Sequence, residues 1–95
     1  MAETTTYVSW RLSFPGSGVY TANDPASLLR KLSKRQFDPD DRRWIKGALA
    51  WRAWVLTGQS IDPNLADEDF LVAFSRTGVA RLEAYGEERD EWLTF

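Results

Sequence analysis

Three groups of side chains have the types and spacing to do chemistry: carboxylates at Asp38, Asp40 and Asp41, carboxylates at Asp67, Glu68 and Asp69, and cations spread over residues 30–46. Hard metal ions take several oxygen ligands around one point, which either carboxylate group could in principle supply. Neither group has the spacing of a calcium loop. Each stands where a helix would begin, and acids are favoured there because unpaired backbone N–H groups and the helix dipole make that end positive. Capping is the expected role of both groups, and no metal or cofactor is expected.

Catalysis is poorly supplied. The chain has no histidine and no cysteine, which removes the commonest general base near neutral pH, the commonest metal ligand, thiolate nucleophiles and disulfides. No spacing suggests a Ser–Lys pair. Pro15-Gly16-Ser17-Gly18 is too short, and too far from a helix start, to cradle a phosphate, and reads as a hairpin turn. The expectation is a non-enzymatic protein with no small-molecule substrate.

The cations point to nucleic acid as the alternative. Arg30, Lys31, Lys34 and Arg35, with Arg42, Arg43 and Lys46 beyond the next turn, could form a basic patch whose binding would fall steeply with salt. Against this stand a sequence pI near 5.0 and the lack of any recognition-helix pattern or aromatic–basic strip. Residues 30–52 hold eight basic side chains against three acids, a net of +5. Residues 62–91 hold nine acids against three arginines, a net of −6. Such asymmetry suits a basic binding face with an acidic tail, but two solvated faces that attract each other within one domain account for it better, since surface charges mostly serve solvation.

Aromatic residues give the better lead. Residues 38–58 carry three of the five tryptophans. Trp44 and Trp51 fall on the expected inner stripe, whereas Arg43, Gly47, Ala50 and Trp54 form a flanking row. Gly47 inside a helix costs ~1 kcal/mol relative to Ala, which suggests the close approach of another backbone. With Trp92 and Phe95 near the C-terminus, the row Arg43, Gly47 and Trp54 is the candidate contact surface, since Trp and Arg are enriched among residues that dominate binding energy. The C-terminal residues invite comparison with the bacterial sliding-clamp-binding peptide. Only Phe95 fits it: Glu91 stands where that motif has Gln, and Thr94 where it has an aliphatic residue, so no family is assigned.

The elements that must position these residues follow from periodicity. Tyr7–Phe14 alternates, with Val8, Trp10, Leu12 and Phe14 facing one way, as a half-buried strand does. Residues 19–21 return as a short second strand. Asn23, Asp24 and Pro25 open a helix over residues 25–35 that points Leu28, Leu29 and Leu32 inward. The tryptophan helix, residues 39–57, starts at Asp38 and Pro39 and stops at Gly58. Asn64 reads as the cap of a third helix that ends at Gly78, with Ala66, Phe70, Ala73 and Phe74 on its buried side. Residues 79–85 suit strand and helix almost equally; Ala, Leu and Glu tip the balance towards helix.

The expected fold is therefore α+β: an N-terminal hairpin packed on three helices, with a fourth helix or a further strand after Gly78 and the Trp-rich helix central. The expected core is Trp10, Leu12, Leu28, Leu32, Trp44, Ala48, Trp51, Val55, Phe70 and Phe74. Ninety-five residues make one domain. Its expected limits are 7–86, after a disordered 1–6 and before an acidic, aromatic tail, 87–95. No segment approaches the roughly 20 apolar residues of a membrane span, and the start MAETTTYVSW lacks the basic and apolar regions of a secretory leader. A cytoplasmic location is expected. In size and texture the chain resembles small accessory proteins of bacteria and their viruses. The functional expectation is a protein-binding module, an accessory or inhibitor protein that occupies the surface of a partner, either a host protein or a second copy of itself.

Overall fold

From Ser9 onward strand β1, Tyr7–Phe14, alternates as its sequence does, burying Trp10, Leu12 and Phe14 on one face. Val8, expected beside them, is exposed instead, because the pairing with β3 shifts register between Tyr7 and Ser9 and Tyr7 packs on the core in its place. A tight turn, in which Ser17 N–H donates to the Phe14 carbonyl at 3.0 Å, returns the chain as β2, Gly18–Ala22, antiparallel to β1. The chain continues through helices α1 (Pro25–Gln36), α2 (Ile45–Thr57) and α3 (Asp67–Arg76), then strands β3 (Arg81–Gly86) and β4 (Glu91–Thr94). The computed structural model describes residues 7–36 and 45–95, with residues 34–36 described by their backbone alone. The expected disorder of 1–6, the expected capping by Asp38 and the burial of Trp44 lie outside the described residues.

All four strands form one antiparallel sheet in the order β2-β1-β3-β4. The fold is α+β, with three helices among the described residues. β3 pairs with β1 through Leu12↔Leu82 and Trp10↔Ala84, so strands from the two ends of the domain lie side by side. The helix favoured for residues 79–85 is corrected to this strand. Ala, Leu and Glu are good helix formers, but Leu82 and Ala84 alternate with Arg81, Glu83 and Tyr85, and pairing with β1 buries both apolar residues. Residues 91–94, read as part of a tail, form β4 against β3, with Leu93 opposite Ala84 and Trp92 opposite Tyr85.

The core lies between the sheet and the helices. Leu28, Leu29 and Leu32 of α1, and Phe70, Leu71 and Phe74 of α3, meet the inner face of the sheet at Trp10, Leu12, Phe14, Leu82 and Ala84. Phe14 packs on Phe74, and Phe74 stacks on Phe70. α2 packs against α1 and α3. It buries Leu49 and Ala53, with Ile45 and Ala50 half-buried beside them. Trp51 and Val55, expected in the core, are instead exposed, and Ala48 is half-buried. The cause is the composition of the helix: IKGALAWRAWVLT has apolar residues on every side and only Lys46 and Arg52 as charges, well apart round the helix, so periodicity does not choose a face and packing against α1 and α3 decides.

Cap chemistry follows the expectation at two sites and departs at a third. The Asp24 carboxylate accepts from Ser27 N–H at 2.7 Å and from the Ser27 hydroxyl at 3.1 Å, starting α1. Gly58, at φ 76°, ends α2 with its N–H on the Trp54 carbonyl. α3, however, starts at Asp67 after Ala66, with no side-chain cap, and Ala66, expected on the buried side, is exposed because it precedes the first helical turn. Asn64 lies in the preceding turn, where its N–H donates to the Asp62 carboxylate at 2.9 Å.

Candidate functional site on the outward face of helix α2

Helix α2 is held at both ends, and that sets which side it turns outward. At its start the Lys46 ammonium donates to the Leu65 carbonyl at 2.8 Å and pairs with Asp67 at 3.0 Å, tying α2 to the beginning of α3. At its end the Thr57 hydroxyl donates to the Ala53 carbonyl and accepts from Gln59 N–H. The Gln59 side chain reaches the Thr77 carbonyl beyond α3 at 3.4 Å. With Leu49 and Ala53 turned inward, the opposite side carries Gly47, Ala48, Trp51, Trp54 and Val55. Trp51 is 67% exposed, Trp54 56% and Val55 51%. Leu56, also exposed, lies round the helix from them at its C-terminal end.

Buried polar groups cannot explain this face, for it has none. It is a stripe of small and large apolar residues without a charge, and two exposed tryptophans one turn apart are costly to leave in water. Trp54 belongs to the flank read from the sequence. Gly47, half-buried, lies two turns before it on the same side. Arg43 lies outside the described residues.

The two C-terminal residues of the candidate surface lie elsewhere. Trp92 is opposite Tyr85, which is opposite Ser9, on the sheet face turned away from the helices. There the Arg11 guanidinium sits 4.1 Å from the Trp92 ring centre and makes a two-pronged contact with Glu83, at 3.1 and 3.0 Å. Tyr85 packs beside Trp92 and donates its hydroxyl to Asp90. Phe95 turns to the other side and stacks on Trp10, with Tyr7 edge-on to both rings. Trp92 and Phe95 thus anchor the end of the sheet, Trp92 on the face turned from the helices and Phe95 against the core.

The cations are dispersed in their duties. Lys31 donates to the Thr21 carbonyl on the β2 edge, Lys46 is bound as above, and Arg30 is exposed on α1 near Asp24. The side chains of Lys34 and Arg35, and all of Arg42, are outside the described residues. Of the carboxylates, Asp67 is engaged by Lys46, while Glu68 and Asp69 are exposed in the first turn of α3. Asp38, Asp40 and Asp41 lie outside the described residues. Among the described residues no three acidic side chains converge as a metal site would require.

No family model, curated protein or solved structure matches this chain.

Sequence reasoning missed Trp51 as a surface residue and missed the Arg11–Glu83–Trp92 cluster. A signal for the first existed in the spread of apolar residues round every side of residues 45–57. The second needed β3 to be recognised as a strand, since only that places Glu83 beside Arg11.

Proposed function

We propose that the protein is a non-enzymatic protein-binding module, an accessory or inhibitory protein that acts by occupying the surface of another protein, and that the outward face of α2 is its contact surface. The observation that carries this reading is the pair of exposed tryptophans, Trp51 and Trp54, on an uncharged helix face. Tryptophan is the residue most enriched among those that dominate binding energy. A helix face that presents large anchors beside small residues is also a recurrent mode of recognition.

The nucleic-acid reading draws less support, because Lys31 and Lys46 are engaged within the protein. A cytoplasmic place belongs to the proposal, and no helix among the described residues is long and apolar enough to cross a membrane. The test is capture of partners from lysate by the wild-type chain and by Trp54→Ala in parallel. A specific protein recovered by the first and lost by the second is the expected outcome. Identical recovery by both would refute the assigned surface, and salt-sensitive recovery of nucleic acid alone would refute the function.

A further inference from the structure

The outward stripe of α2 has an internal order that says what fits it. Gly47 and Trp54 are seven residues apart, as are Ala48 and Val55, with Trp51 between the two rows. Seven residues make two turns, so each row runs along one side of the stripe. In both rows the small residue is N-terminal and the large one C-terminal. When such a helix is laid against a copy of itself running the opposite way, about a two-fold axis through Trp51, each row meets itself reversed. Trp54, the largest side chain, then lies over Gly47 of the second copy, which has none. Val55 lies over Ala48 of the second copy, and the two Trp51 rings meet at the axis. Such self-complementarity, in which one residue's contact is repeated in reverse, is what a two-fold interface requires.

We propose that this face binds a second copy of the chain as an antiparallel α2–α2 pair centred on Trp51. The inference rests on the binding-module reading and names its partner. Lys46 is turned to Leu65 and Asp67, and Arg52 lies about 100° round the helix from Trp51, at the rim, where the axis brings it to the same side as Arg52 of the second copy, a like-charge approach that water and salt screen. Area sets the strength. Given the exposures of Trp51, Trp54 and Val55, the stripe offers roughly 400 Å² of apolar surface per copy, or roughly 800 Å² for the pair. That is below the ~1,200 Å² of stable interfaces, in the range of weak, transient ones. The pair is a concentration-dependent dimer that exchanges readily.

Sedimentation of the purified full chain from about 1 µM to about 1 mM tests this, the range over which a weak dimer would form. A rise in mass towards the dimer is expected, and added salt should not weaken it because the contact is apolar. Ala48→Lys and Val55→Glu should each weaken association about tenfold or more. The chain carrying both substitutions should recover to within about threefold of wild type, since the opposite charges then face each other across the axis. Far-UV circular dichroism and the thermal midpoint confirm that each variant is folded. A chain that stays monomeric to about 1 mM overturns the proposal, as does a dimer indifferent to the single changes or not recovered by the double one. If the chain is monomeric yet loses a different protein partner on Trp54→Ala, the second-copy proposal falls and the binding-module reading stands.

Discussion

At Asp24, local hydrogen bonding sets a measurable pH dependence. The Ser27 N–H, then the Ser27 hydroxyl, hold the carboxyl below its usual 3.8 because both bonds favour the ionised form. A carboxylate whose pKa is lowered by folding contributes stability that is fully present above the unfolded value. That stability is lost as pH falls through the folded one. Acid unfolding of Asp24→Asn, compared with wild type, should show a shallower loss of stability as pH drops below 3.8; parallel curves would mean that the cap does not discriminate between the protonation states. The same scale separates core from surface among aromatics. Phe74, fully buried, should cost ~3–5 kcal/mol when truncated to Ala. Trp51→Ala should change stability by less than ~1 kcal/mol despite removing a larger side chain. Urea unfolding of the two variants decides this, and similar losses would place Trp51 in the core.

Among the elements, those whose pattern is local were legible and those decided by distant partners were not. β1 and α1 could be read because Trp10, Leu12 and Phe14 alternate and because Leu28, Leu29 and Leu32 recur on one helical face. β3 could not, because its strand form depends on β1, some seventy residues earlier, as in the pairing of Arg11 with Glu83. β4 looked like a tail because acids dominate residues 87–91, yet four of those residues make the turn, with Asp90 at φ 50°. β4 and the residue after it should therefore contribute to stability. Phe95→Ala is expected to cost ~1–2 kcal/mol through lost stacking on Trp10. On the other face of the sheet, Glu83→Gln should cost ~1 kcal/mol, since Arg11 would lose its charged partner. Chemical denaturation of both variants measures these losses; no change for Phe95→Ala would return residues 91–95 to the status of a tail, and none for Glu83→Gln would show that the Arg11–Glu83 pair adds nothing to stability.

The molecule as a whole has one sheet face and two helices committed to a core, and one helix only half committed. Core formation is satisfied by Leu49 and Ala53 of α2, so the tryptophans opposite them are surplus to folding. The flank at Gly47 and Trp54 was legible in the sequence as a row unlike a core stripe. That Trp51 joins it was not, because a helix with apolar residues on every side does not reveal which side its neighbours cover. The central claim is that the outward face of α2 serves binding and not stability, and Trp54→Ala tests it most directly. Its thermal midpoint and its retention of the captured protein should be measured on the same preparation. The account predicts a midpoint within about 4 °C of wild type, equivalent to less than ~1 kcal/mol, with binding weakened by ~2 kcal/mol, roughly thirtyfold. A large fall in midpoint with binding of the folded protein unchanged would contradict it.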